Sequence, residues 1–322
     1  MLRRRGALGL FAAAAVVCAF GQTGAAAAAD YPDQPIKIVH GSSPGAPQDV
    51  MLRTLAQEME KVAGVPVVVE GRPGGTGQVA MAYLKGQPAD GYTIFSDATG
   101  ITTVLQLPGA AYKWDDFKPL YRIQLDPFAL YVKRGGAYSD LGDLIEDAKK
   151  RGEDVRIGGY GTGSPHQITT LALADAAGVD VTWVPYNSGS DAIAAVMAGD
   201  LEAAMSNISV YSRFKDRTKV VAVTSDEPVK AFPEVPTLRD AGYDIARYHW
   251  RGMFVDKDTP EGVTDDLYAI VDEAVKSPGF QAYLEKSSTL PGVMSRADFT
   301  EMLKGQAEND HKVLIDLGMI EG

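Results

Sequence analysis

The 322-residue sequence contains one cysteine, Cys18, and only four histidines. With a single thiol the chain forms no internal disulfide, so a small cross-linked scaffold is excluded and the core must be large enough to hold by burial alone. His40, His166, His249 and His311 are scattered, with no H-E-x-x-H or similar spacing, so no metal site is expected. Beyond the N-terminal segment no apolar run reaches the ~20 residues that cross a bilayer. Repeats and low-complexity stretches are likewise missing there. Positive charge is scarce, with 31 Lys and Arg against 42 Asp and Glu and a formal charge of −11. That balance argues against nucleic acid or an anionic membrane surface as partner.

What is there begins with Met1-Leu2-Arg3-Arg4-Arg5, an apolar stretch from Ala7 to Phe20, and the run Ala25 to Ala29. A positive start, a short apolar centre and an Ala-x-Ala end predict a secretory signal peptide over residues 1–29, cleaved after Ala29, and hence a periplasmic protein. Cys18 would leave with it, since Val17 is too bulky for a lipoprotein acceptor site. Cleavage would leave 293 of the 322 residues, enough for two domains, and would remove three arginines, taking the charge from −11 to −14.

Short β-branched runs recur: Ile36–Val39, Pro66–Glu70, Tyr92–Ser96, Phe128–Val132, Val155–Ile157, Val181–Val184, Ala203–Ser206, Val220–Val223 and Gly252–Val255. Helical spacing alternates with them, as in Met51, Leu55, Met59 and Val62, or Val263, Leu267, Val271 and Val275. Thr259-Pro260 predicts a helix start with Pro at the first position, and Ser295 caps a last helix running to Leu317 and stopping at Gly318. Alternating strands and helices predict an α/β fold with mainly parallel sheets flanked by helices.

Two glycine-rich loops stand out, each between a strand-like and a helix-like run: Ser42-Ser43-Pro44-Gly45-Ala46-Pro47-Gln48-Asp49 and Gly158-Gly159-Tyr160-Gly161-Thr162-Gly163-Ser164-Pro165-His166. Unpaired amides above strand ends suit an anion. Two such loops suggest two lobes that each supply half of one small-molecule site. The second loop is neither G-x-S-x-G nor G-x-G-x-x-G, which disfavours a nucleophile elbow and a dinucleotide fingerprint.

An ordered set of motifs resembles the solute-binding proteins of tripartite tricarboxylate transporters, also called the Bug family. It runs from Tyr31-Pro32-Asp33-Gln34-Pro35-Ile36 through Pro44–Asp49, Pro66–Gly75 and Asp90-Gly91-Tyr92-Thr93 to the second loop with Ser164 and His166. It continues through Val184-Pro185-Tyr186, Ala198-Gly199-Asp200, Val235-Pro236-Thr237, Ala241-Gly242-Tyr243, Trp250-x-Gly252 and Thr259-Pro260. The resemblance implies a two-lobed periplasmic-binding-protein (Venus flytrap) fold with a ligand cleft between lobes. The expected division is 30–125 plus 248–322 for the first lobe and 126–247 for the second, with crossovers near Gln124–Pro127 and Ala246–Trp250. It also implies capture of a small carboxylate and its delivery to membrane permease subunits, the first loop holding one carboxylate by backbone N–H groups. The chain departs from the family pattern where Ala46 and Pro47 stand for glycine or small residues, Ser42 for a bulky one and Gly71 for Asn.

The expected ligand contacts are Ser42, Ser43, Gly45, Ala46 and Gln48 from the first loop, Thr99 after the third strand, and Gly161, Thr162 and Ser164 from the second loop. Tyr186, Asn187, Ser206 and Asn207, at the ends of later strands, complete the set. Asp49 either caps the following helix or pairs with an amino group on the ligand. Ser164 serves as N-cap, as anion donor, or as both, and His166 as a hydrogen-bonded histidine near the cleft. Arg72 is either a clamp or a surface ion pair, and Arg251 a second carboxylate contact or a hinge contact. The expected function is an extracytoplasmic solute-binding protein for a small organic acid, monomeric, without catalysis, cofactor or metal. Two alternatives stand beside it: an exported hydrolase using Ser164 and His166, and a ligand-sensing module for a signalling receptor.

Overall fold

The computed structural model describes residues 31–321, so the expected leader and its cleavage site lie outside the described residues. The first part of the chain runs β1 (Ile36–His40), α1 (Pro47–Ala63), β2 (Val67–Gly71), α2 (Gln78–Lys85), β3 (Thr93–Ala98), α3 (Ile101–Val104) and β4 (Phe117–Lys133). Then come α4 (Leu141–Arg151), β5 (Arg156–Tyr160), α5 (Pro165–Ala177), β6 (Thr182–Tyr186), α6 (Gly189–Ala198), β7 (Ala203–Asn207) and β8 (Thr218–Val223). The chain closes with β9 (Tyr248–Asp256), α7 (Glu261–Lys276), α8 (Pro278–Ser287), β10 (Leu290–Pro291) and α9 (Arg296–Asp316).

The strands build two sheets joined by β4. The first has the order β2-β1-β3-β9-β4, with β10 on the far edge of β4. In the second, β4 lies between β8 and β7, followed by β5 and β6. Pairing is parallel within β2-β1-β3 and β7-β5-β6, where helices return the chain to the same end of the sheet. It is antiparallel wherever β4, β8, β9 or β10 enters. At the expected crossover near Gln124–Pro127 the chain is continuous strand. Phe117–Pro127 pairs with β9, and Phe128–Lys133 with β7 and β8. Prolines inside a strand normally mark an edge or a bulge. Here the β4–β9 register slips beside Pro119 and again between Arg122 and Gln124.

Each sheet is covered on both faces, so β1 is apolar almost throughout (Ile36, Ile38 and Val39 fully buried). On the first sheet, Met51, Leu52, Leu55 and Met59 of α1 pack with Leu267 and Val271 of α7 and Phe280 of α8. The opposite face holds Phe95, Phe117, Trp250 and Phe254 against Phe299 and Leu303 of α9. On the second sheet, Leu141, Leu144 and Ile145 of α4 and Leu173 of α5 cover one face, and Ala192, Ile193 and Val196 of α6 the other. Local signals set the ends. α1 opens on Pro47 and stops at Gly64, whose φ of 70° lets its N–H close back on Glu60 O. Ser164 and Ser295 cap α5 and α9 as their sequences predict, while α7 begins one residue later than expected, at Glu261, with Pro260 as its N-cap.

Candidate functional site

The loop after β1 is braced from within. Gln48 and Asp49 are buried in the first turn of α1. Asp49 Oδ2 accepts from Arg53 Nε (3.0 Å) and Gly45 N–H (2.9 Å), and its Oδ1 from Arg53 Nη2 (3.0 Å), with His40 Nε2 3.1 Å from the same Oδ1. Ser42 N–H donates to His40 Nδ1 at 3.2 Å, which leaves the His40 proton on Nε2, facing Asp49. These contacts hold the Asp49 carboxyl down at about 2, Arg53 being the main cause. Ser42 Oγ donates to Gln48 Oε1 (2.7 Å), and Gln48 Nε2 reaches Ser96 Oγ at 3.3 Å.

The loop therefore consumes much of its own donor capacity. The amides of Ser42, Gly45 and Ala46 all have internal acceptors, and Pro44 and Pro47 have no N–H. Ser43 remains exposed at the tip. Arg72 pairs with Glu70 at 2.5 Å and stacks on Tyr83, its guanidinium carbon 3.6 Å from the ring centre, so it is engaged locally.

The second loop is shaped in the same way. Gly161 N–H donates to Tyr186 O, Trp183 Nε1 to Gly161 O, and Gly163 N–H to Gln167 Oε1 at 2.7 Å. Ser164 Oγ accepts Gln167 N–H at 3.3 Å and contacts Gly161 O at 3.4 Å. Gly163 adopts φ 67°, and a Cβ there would lie 2.8 Å from Met319 Sδ, so the residues after α9 press directly on this loop. Thr162 and Asn187 are exposed, Tyr186 is half-buried, and Ser206 lies under the start of α6 against Gly189.

The second loop reaches the strand junction through His166. Its Nε2 is 3.2 Å from Asn207 Oδ1, and its ring stands edge-on to Phe128 at 4.9 Å, with the His249 ring 6.4 Å away. Burial pushes His166 down to about 4 and His249 well below its ordinary value, so both rings are neutral near pH 7. His166 Nδ1, Asn207 Nδ2, His249 Nδ1 and Gln124 Oε1 are all buried without a hydrogen-bond partner among the described residues. Thr99 spans the strands beside them, accepting Trp250 N–H at 2.7 Å. Among the described residues Asp97, at the end of β3, has only the Ala98 N–H on its carboxylate, and desolvation raises it to about 7.

Two cavities flank the junction. One, of about 270 Å³, is lined by Thr99, Arg122, Phe128, Pro165, Arg247 and Trp250 among others. The second, of about 300 Å³, is lined by Gly45, Pro47, Gln124, Arg213 and Arg251 among others. Neither is lined by both glycine loops. The structure thus brings Thr99, His166 and Asn207 to the junction, and places Gly45 at the edge of the second cavity. Gln48 and Asp49 lie beneath the first loop and Ser206 beneath α6. His249, Gln124, Arg122, Arg247 and Arg213 carry no local sequence signature and were not among the expected contacts. Trp250-x-Gly252 marked the neighbourhood of His249 without singling it out. Among the described residues no group of His, Cys, Asp and Glu is arranged to hold a metal ion, and no helix is long and apolar enough to cross a membrane.

Comparison with known proteins gives this geometry a family. Residues 51–319 match the model of the tripartite tricarboxylate transporter family receptor. A curated Bordetella pertussis relative, Protein BugT, is 26% identical over 284 residues, which cover 86% of each chain. A solute-binding protein of the same family from Polaromonas superposes with a TM-score of 0.78 at 25% identity, covering 89% of this chain and 99% of that one. An R. palustris protein solved with adipate gives a TM-score of 0.76 at 23% identity, with 90% and 99% covered. The two-sheet α/β architecture is the two-lobed fold of these periplasmic binding proteins, and the chain belongs to the tripartite tricarboxylate transporter receptor family, as a solute-binding protein.

Proposed function

We propose that this protein captures a small carboxylate at the junction of its lobes and hands it to the membrane permease subunits of a tripartite transporter, acting as a monomer in the periplasm. One observation carries the reading. Side-chain atoms of His166, Asn207 and His249, from α5, β7 and β9, are buried together without partners. Buried polar groups are nearly always bonded, so a cluster of orphans calls for a partner from outside the chain. The R. palustris relative was solved with adipate, a dicarboxylate. Asn207 Nδ2 would donate to the acid, with Ser43 and Thr162 adding hydroxyls as the lobes approach, and each hydrogen bond to a charged group would be worth roughly 1.5–3 kcal/mol. The lobes are taken to divide between Leu125 and Asp126 and between Arg247 and Tyr248, along the paired strands.

The hydrolase alternative lacks support in the geometry. Ser164 Oγ is engaged with Gln167 and Gly161 while His166 faces Asn207, so serine and histidine form no nucleophile–base pair. Thermal denaturation against an organic-acid panel tests the proposal. A ligand at 100 times its Kd adds about 2.7 kcal/mol, roughly 5 °C for a chain of this length. Asn207→Leu should weaken the effective acid at least about tenfold, the cost of one lost charge-assisted bond. The acid should be recovered chemically unchanged. A panel in which no organic acid raises the melting temperature would refute the carboxylate reading.

A further inference from the structure

The 300 Å³ cavity has a charge pattern unlike that of the chain as a whole. It lies where the start of α1, the turn Ile208–Arg213 and the end of α8 meet the crossing strands. The sequence carries more acidic than basic residues, yet this lining holds Arg251, Arg213 and Lys286 and no carboxylate. Arg251 is 7% exposed. Its ion-pair partner, Asp126, sits 3.7 Å away, beyond hydrogen-bond reach, and Asp126 already accepts from Ser209 N–H (3.3 Å) and Ser209 Oγ (2.6 Å). The guanidinium thus brings its donors to the cavity wall while it is tied to Asp126 by charge at 3.7 Å and not by a hydrogen bond. Gln124, 1% exposed, lines the same wall with its Oε1 unpartnered, and a turn of that amide presents N–H in place of oxygen. The N-terminus of the 17-residue α1 adds a partial positive charge at Pro47.

We infer that this cavity is an anion subsite, in which Arg251, flanked by Arg213 and Lys286, takes a second carboxylate of the captured acid or a free oxyanion of similar size. The inference rests on the carboxylate reading above and extends it to acids with at least two charged groups. Arg213 comes from the second lobe and Lys286 from the first, so an anion held between them ties the lobes together.

The test compares Kd values, by calorimetry, for adipate, its monocarboxylate counterpart hexanoate, citrate, inorganic phosphate and sulfate. Arg213 and Lys286 are exposed, so the double variant Arg213→Ala/Lys286→Ala should fold normally. Arg251→Lys keeps a positive charge beside Asp126 and provides a second probe. In the wild type the second carboxylate should improve affinity by about tenfold or more, the scale of one charge-assisted hydrogen bond, and the gain should shrink with added NaCl. The double variant should lose most of that gain while hexanoate binding stays the same. If adipate and citrate show no gain over hexanoate, or the variants retain it, the subsite is refuted and the carboxylate reading stands. If no organic acid binds, but phosphate or sulfate does and depends on these residues, the subsite stands and the carboxylate reading falls.

Discussion

Replacing Asp49 by Asn separates a structural brace from a ligand counter-ion. Asp49 is 3% exposed, and its carboxyl is held at about 2 against an ordinary value of 3.8, first by the Arg53 hydrogen bonds and then by Gly45 N–H and His40. At about 1.36 kcal/mol per unit, this depression corresponds to roughly 2–3 kcal/mol of folding free energy at neutral pH. The Arg53 side chain is 52% exposed, and solvent screening brings the expected cost of Asp49→Asn to about 1–2 kcal/mol. The sign follows from the depressed folded-state value. The contribution is complete above pH 4 and is lost as pH falls toward 2, so about half should survive at pH 3. Urea unfolding of both proteins at pH 7, 5 and 3 measures it. A penalty as large at pH 3 as at pH 7 would show that shape, not charge, holds the loop. An affinity loss confined to ligands bearing an amino group, with stability unchanged, would restore the counter-ion role.

Two further predictions concern the second loop and the junction. With the His166 value lowered to about 4 by burial, the neutral ring stabilises the fold above pH 6.5 and the contribution is lost as pH falls toward 4, by up to about 1.4 kcal/mol per pH unit. Stability measured from pH 7 to 4.5 should therefore fall less steeply in His166→Phe than in wild type, and parallel slopes would contradict the assigned burial. Gly163→Ala meets both a positive φ, costing about 1–2 kcal/mol, and the Met319 side chain. Its melting temperature should drop by several degrees, and adding Met319→Ala should return only the steric part; an unchanged melting temperature for Gly163→Ala would show that the C-terminal segment does not press on the loop.

Local chemistry was legible in the sequence, and long-range register was not. The Ser164 and Ser295 caps follow from side-chain geometry within four residues, and the β-branched runs mark most strands to within a residue or two. The 17-residue β4 was hidden because Pro119 and Pro127 read as breakers, and only pairing with β9 accommodates them. At the site, His166 and Asn207 stand at a helix start and a strand end, where ligand contacts are expected. His249 acquires its place from lying opposite Asp126 across the β4–β9 ladder, a partner 123 positions earlier in the chain. Arg251 was marked in the sequence by its place beside Trp250, whereas Arg213 and Lys286 are ordinary single charges until three distant elements bring all three to one wall.

The uninterrupted course of β4 through both sheets, with β9 paired to it as far as Pro127–Tyr248, sets the mechanics of the molecule. Rotation of one half against the other must be absorbed as twist along a hydrogen-bonded ribbon, because no swivelling joint separates them at that strand. On the capture proposed above, closure of the lobes would strain this ribbon and release would relax it.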